Sequence, residues 1–139
     1  MDTRKENNIL AVRLYSGEDV VESLKEAFKK ASSPAGIMIS AAGMMKEIKL
    51  GYFMGKGHYK ENLMDNPHEI VSCTGNFIKG KEEIQMHLHV SLADDAGKVS
   101  GGHLQEAAVH GTGEYFILLS GMDIKREFEE DTGLKGLKL

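Results

Sequence analysis

The chain holds one cysteine (Cys73), two prolines and no tryptophan. A single thiol excludes an intrachain disulfide, so the fold has to rest on its core, as proteins of reducing compartments do. No apolar run approaches the roughly 18 residues that a spanning helix requires. The charged opening, Met1 to Asn8, has none of the apolar stretch that a secretory signal carries. No Asn-x-Ser/Thr glycan acceptor occurs either. Together these absences lead us to expect a cytoplasmic protein. Positive charge is short as well: 17 Lys+Arg against 21 Asp+Glu leave a net −4. Proteins that grip duplex DNA unaided display a basic stripe that displaces counterions from phosphates. Here basic residues sit beside acidic ones, as in Lys25-Glu26 and Arg126-Glu127, which argues against autonomous DNA binding.

What is present suits one globular domain of 139 residues, 41% apolar and 27% charged, a length that can bury a core without staples. Asn8 to Tyr15 is rich in β-formers and is expected to be a strand. Apolar residues at Val20, Val21, Leu24, Ala27, Phe28 and Ala31 recur at helical spacing. Ser16 with Asp19 resembles a capping box before this helix, Lys29 and Lys30 suit its C-terminal dipole, and Ser32 to Gly36 stops it. Strands are expected at 36–42, 47–54 and 69–78, the last with a bulge at Gly75, then at 83–93, 98–104 and 115–119. Turns are expected at Gly55–Gly57, Asn66-Pro67 and Asp94–Gly97. The core is expected over about residues 8–120. The charge-rich tail, 121–139, is expected to be loosely held or a short helix. The expected fold class is α+β, one long early helix packed on a mostly antiparallel sheet.

Gly75 to Lys81 matches the first seven positions of a phosphate-binding P-loop, but Glu82 stands where Ser or Thr must hold magnesium, and the segment leads into a strand. Cys73 lies in an apolar strand run and is expected to be buried and inert.

The strongest chemical signal lies in histidines. In Ile84 to Leu92 the apolar residues alternate with polar ones, so His87 and His89 project from one face of a strand. Neutral imidazole is a common ligand for zinc and similar ions. His-x-His alone is weak evidence, since both rings can simply be surface groups. His103 strengthens it, provided the following strand pairs with the right offset. A two- or four-residue turn would aim His103 away from the pair; a three-residue loop, Asp95-Ala96-Gly97, would set it opposite His89. A bulge at Gly101-Gly102 would have the same effect. Three nitrogen ligands would leave a fourth position open. The alternative is a polar cluster or an interface patch. His110 is a further possible ligand by position, whereas His58 and His68 lie near turns and are expected at the surface.

Gly17-Glu18-Asp19-Val20, Ile39-Ser40-Ala41-Ala42-Gly43, Leu50-Gly51-Tyr52, Glu69-Ile70-Val71-Ser72 with Thr74-Gly75-Asn76, His87 to Asp94, Gly97-Lys98-Val99 and Gly101-Gly102-His103-Leu104 follow one another in order. Together they resemble the plants-and-prokaryotes-conserved (PPC) domain in its stand-alone prokaryotic form, over about Leu10 to Leu119. The resemblance implies a curled antiparallel sheet, a homotrimer, and a divalent metal, zinc first, on His87, His89 and His103. Members carry a DNA-binding label, which in plant forms belongs to an AT-hook; no Arg-Gly-Arg-Pro hook occurs here. Three functions follow as expectations. The first is a trimeric metal-binding or assembly module without catalysis. The second is a hydrolase or lyase using water activated at the three-histidine site, with Glu106 or Glu114 as base and a small-molecule ligand. The third is a DNA-associated regulator. Whether the chain is an enzyme stays open at this level.

Overall fold

The computed structural model describes residues 1–139. It corrects the expected α+β class: 68% of the chain is strand and 9% helical, a mainly-β fold. The helix is present at Val20–Ala31 (α1), but it is the only one. The strands are β1 (Asp2–Glu6), β2 (Ile9–Tyr15), β3 (Ala35–Gly55), β4 (His58–Met64), β5 (His68–Lys79), β6 (Ile84–Ala93), β7 (Val99–Ser120), β8 (Lys125–Glu129) and β9 (Leu134–Lys138).

The excess of strand has two sources. Pairs of segments expected as separate strands are continuous: β3 runs for 21 residues and β7 for 22. Their glycines and register shifts, such as that between Gly43 and Met44 where β3 crosses β7, bend the ladder without ending it. Two segments with no expected element, and the expected tail, are also strands. β1 and β4 form the two edges of the main sheet, and the charge-rich tail folds into the β8–β9 hairpin.

All pairings are antiparallel, in the order β1-β2-β7-β6-β5-β3-β4, and an extra β7–β3 pairing closes β7, β6, β5 and β3 into a ring. Alternation then sorts the side chains. Leu10, Val12 and Leu14 of β2, Leu88, Val90 and Leu92 of β6, and Tyr115 and Ile117 of β7 belong to a cluster of 25 buried residues. Helix α1 adds Val20, Leu24, Ala27 and Phe28, with the Phe28 ring stacked on Phe77 at 5.1 Å. Each such fully buried apolar side chain contributes about 1.5–3 kcal/mol.

The helix cap differs from expectation. Asp19 is itself the N-cap, its carboxylate accepting the Glu22 N–H at 2.8 Å, while the Ser16 hydroxyl accepts from the Gly111 N–H. An aspartate one turn before a backbone N–H caps better than a serine that lies outside the first turn. Ser32 ends the helix in the left-handed region at φ 57°.

The bulge in β5 is also not at Gly75. The register shifts between Ile70 and Ser72, opposite Leu92 and Ser91. Gly75 has φ 141°, and a Cβ there would stand 1.9 Å from the His87 carbonyl oxygen. Its glycine serves the close approach of β5 to β6.

Candidate metal centre

The strand pair that carries the histidines is joined by the three-residue loop Asp95-Ala96-Gly97. Ala93 pairs with Val99, and the Asp94 N–H donates to the Lys98 carbonyl at 3.1 Å. Gly97 takes φ 74°, and the Asp94 carboxylate accepts the N–H groups of Ala96 and Lys98 at 3.0 and 2.8 Å. The loop alone sets the offset, because the ladder from Val99 to His103 runs without a shift at Gly101-Gly102. Those glycines permit close approach; a Cβ on Gly101 would sit 2.3 Å from the Val90 carbonyl oxygen.

The resulting register places His103 across from His89, and β5 places Thr74 opposite His89 and Asn76 opposite His87. Partners across an antiparallel ladder share a face. His87, His89 and His103 therefore stand together on the side of the sheet away from Leu88 and Val90, which are buried. Their ring centroids are 5.0, 5.0 and 5.6 Å apart. One ligand atom from each falls within 4.8 Å of the others, and the Nε2 atoms of His87 and His89 are 3.1 Å apart. Two nitrogens bound to one tetrahedral zinc stand about 3.3 Å apart, so this spacing suits a shared ion.

The environment suits it too. His103 Nδ1 is buried and has no hydrogen-bond partner in the chain, a cost unless something binds it. Burial pushes the His87 imidazole down to about 4, helped by repulsion from His103, His89 and Arg126. Burial, with His89 and Arg126, lowers His103 as well. Both rings are thus neutral at pH 7, the protonation state a metal requires.

The cluster sits where two ladders part. β6 pairs with β7 only from His89 to Ala93, whereas beyond His103 β7 continues against β3. The opening is a cleft of about 600 Å³ bordered by His87, His103, Tyr59, Met86 and the β8–β9 hairpin. The Tyr59 ring lies 5.5 Å from that of His103. Arg126 of β8 donates to Asn76 Oδ1 at 2.7 Å, fastening the hairpin beside His87.

The other candidates fall elsewhere. His110 pairs with Met44 and is not in the cluster. His58 is exposed, as expected, but His68 is buried, its Nδ1 2.8 Å from the Asn66 carbonyl oxygen. A turn histidine that can bond backbone within its own loop is drawn inward. Glu106 is held by Lys49 at 2.7 Å in an adjoining depression that His103 also borders. Glu114 lies eleven residues beyond His103 on the same strand, opposite Arg13. Cys73 is buried, which raises its thiol to about 12. Tyr59, Asn76 and Arg126 border the cluster although nothing in the sequence marks them as site residues. Gly133 and Gly136 beside the alternation of Arg126 and Phe128 offered a faint hairpin signal for the last of them.

Solved structures share this architecture. A metal-containing protein of Archaeoglobus fulgidus is 30% identical with a TM-score of 0.84, over 100% of this chain and 99% of that one. A Bacteroides thetaiotaomicron protein provisionally described as DNA-binding is 25% identical with a TM-score of 0.92, over 99% and 96%. Among curated proteins, the bifunctional protein GlmU of Synechococcus sp. strain JA-2-3B'a(2-13) is 24% identical over 131 residues. That match takes in 94% of this chain, which spans only about a fifth (20%) of the relative's length. The profile of the Plants and Prokaryotes Conserved (PCC) domain matches residues 1–120, and the chain belongs to that family.

Proposed function

We propose that this chain is a metal-binding PCC-family domain, with His87, His89 and His103 holding one divalent cation, zinc first. The observation that carries the reading is the convergence of three ring nitrogens within 4.8 Å from two strands. The donor set supports zinc: imidazole suits it, and three nitrogens meet its preference for four-coordination with one position left over. The metal-containing protein of Archaeoglobus fulgidus, which shares the fold over the whole chain, favours the same reading. Such an ion would tie β6 to β7 and present a Lewis-acidic position to a further donor.

The assembly part of the reading is a homotrimer. Ile37, Ile39 and Phe116 are 43, 51 and 44% exposed on β3 and β7, and apolar groups of this size on a sheet face favour contact with another copy. A role in assembly rather than catalysis is supported by the two candidate bases. Glu106 is engaged by Lys49, and Glu114 lies far along β7. The hydrolase or lyase reading draws its support from the cleft beside the histidines.

Elemental analysis of protein purified without added chelator tests the central reading. One zinc per chain in the wild type and none in His103→Ala is expected; equal metal in both would end it. Light scattering of the wild type should give three times 15.3 kDa, about 46 kDa. A mass of 15.3 kDa would remove the trimer.

A further inference from the structure

We infer that the cleft beside the histidines is a binding site for a small organic oxyanion, with Arg126 as the residue that receives its negative head group. In the part that concerns the ion this rests on the metal reading above; in the part that concerns Arg126 it does not.

Arg126 is half-buried in the cleft wall, and burial lowers its pKa without discharging it. A sequestered guanidinium is normally matched by a carboxylate. Arg126 has none: the ion pairs of the chain involve Lys25, Lys30, Lys46, Lys49, Lys125, Lys138 and the first amino group, and not Arg126. Its hydrogen bonds go to neutral oxygens, Nη1 to the Lys135 carbonyl at 2.9 Å and Nη2 to Asn76 Oδ1 at 2.7 Å. Two of a guanidinium's five N–H groups are thus used and three remain to donate. The two neutral bonds hold the fork still and leave its charge uncompensated. That is how a preorganised anion receptor is built, whereas a structural salt bridge would end in a carboxylate.

Position completes the argument. Asn76 is the ladder partner of His87, so the guanidinium on Asn76 stands next to the ring at the edge of the cluster. The cavity between them, about 600 Å³, falls in the range of small-molecule sites. Its wall combines Ile84, Met86, Leu134 and Leu137 with Lys25 and Lys135. Glu83 and Glu129 also border it, but neither forms an ion pair with Arg126, and the Glu129 carboxylate accepts the Thr132 hydroxyl at 3.2 Å. Apolar wall beside a fixed cation calls for an organic body with an oxyanion head. With the ion in place, a second donor on the same ligand would lie towards the histidines.

The shared chemistry is an oxyanion, carboxylate or phosphate, and two probes separate them. Calorimetric titration of metal-free and zinc-loaded protein with succinate and with inorganic phosphate should give saturable binding of at least one. Arg126→Gln should weaken that binding at least tenfold in the metal-free protein. Asn76→Asp should do the same by supplying the guanidinium with an internal carboxylate, while keeping the hairpin fastened. It therefore decides the matter should Arg126→Gln loosen the fold in a thermal melt. Failure of both probes to saturate, or wild-type affinity in Asn76→Asp, overturns the inference and leaves the metal reading intact. Arg126-dependent anion binding by a protein that takes up no zinc would sustain it and sink the metal reading.

Discussion

His103 faces His89 across the β6–β7 ladder with their rings at 89°, nearly edge to face, and centroids 5.6 Å apart. Neither ring could reach the other if the connecting loop were one residue longer or shorter with no bulge to offset it, since a single step moves a side chain to the opposite face. The three-histidine cluster is therefore a property of the pairing as much as of the residues.

Removing one imidazole leaves two ligands, so His87→Ala and His103→Ala should each lower zinc affinity by more than about 100-fold, beyond the tenfold to hundredfold cost of losing a supporting outer contact. His110→Ala should bind as the wild type does. Competition against a chromophoric chelator measures all three.

Zinc binding only the folded state should raise stability by about 2.7 kcal/mol at a free concentration one hundred times Kd. For a chain of this length that is on the order of 10 °C in Tm. Thermal melts with and without chelator check it, and the shift should vanish in His103→Ala.

The metal-free protein should lose stability on acidification. His87 is held down to about 4 against an ordinary 6.5, and His103 moves in the same direction. Between those values the unfolded chain binds more protons than the folded one, so stability rises with pH through that window. The penalty is absent above about pH 6.5 and grows as pH falls towards 4. Urea denaturation from pH 7.5 to 4.5 should show the midpoint fall, less steeply in His87→Gln.

Gly75→Ala should act on the site at a distance. The added methyl meets the His87 carbonyl oxygen at a backbone angle that disfavours side chains, at a cost of about 1–3 kcal/mol. We expect a lower Tm together with weaker zinc binding, because β6 has to move away from β5. Gly55→Ala, equally at positive φ but with open space around it, should strain the turn and leave zinc affinity unchanged.

With a net charge of −4, the chain should bind no duplex saturably at about 150 mM salt. Fluorescence anisotropy with a labelled duplex tests this. Tight binding under those conditions would favour the DNA-associated alternative.

The site was more legible than the fold around it. Alternation from Ile84 to Leu92 and a glycine closing a short loop are local signals, and they suffice to bring three rings to one face. The continuity of β3 and β7 is not legible locally, because glycine-containing stretches have little strand propensity of their own. Gly43 and Gly111 sit at or beside bends of β3 and β7, which continue because their long-range partners hold them. β4, with Tyr59 aimed at the site, has no apolar alternation, and edge position rather than propensity makes it a strand. Arg126 was hidden for a similar reason. Nothing local shows that a charged tail will fold back on Asn76, fifty residues earlier in the chain.

Closure of β3, β5, β6 and β7 on themselves leaves those strands no loose margin to absorb a change in chain length. An insertion or deletion between Asp94 and Lys98 has to be compensated by a second irregularity elsewhere in the circuit, or every partner of β7 falls out of step. Chains of this kind can thus be screened by loop length before any imidazole is mutated: those that keep three residues there, or carry an offsetting bulge, are the ones that can gather the three rings.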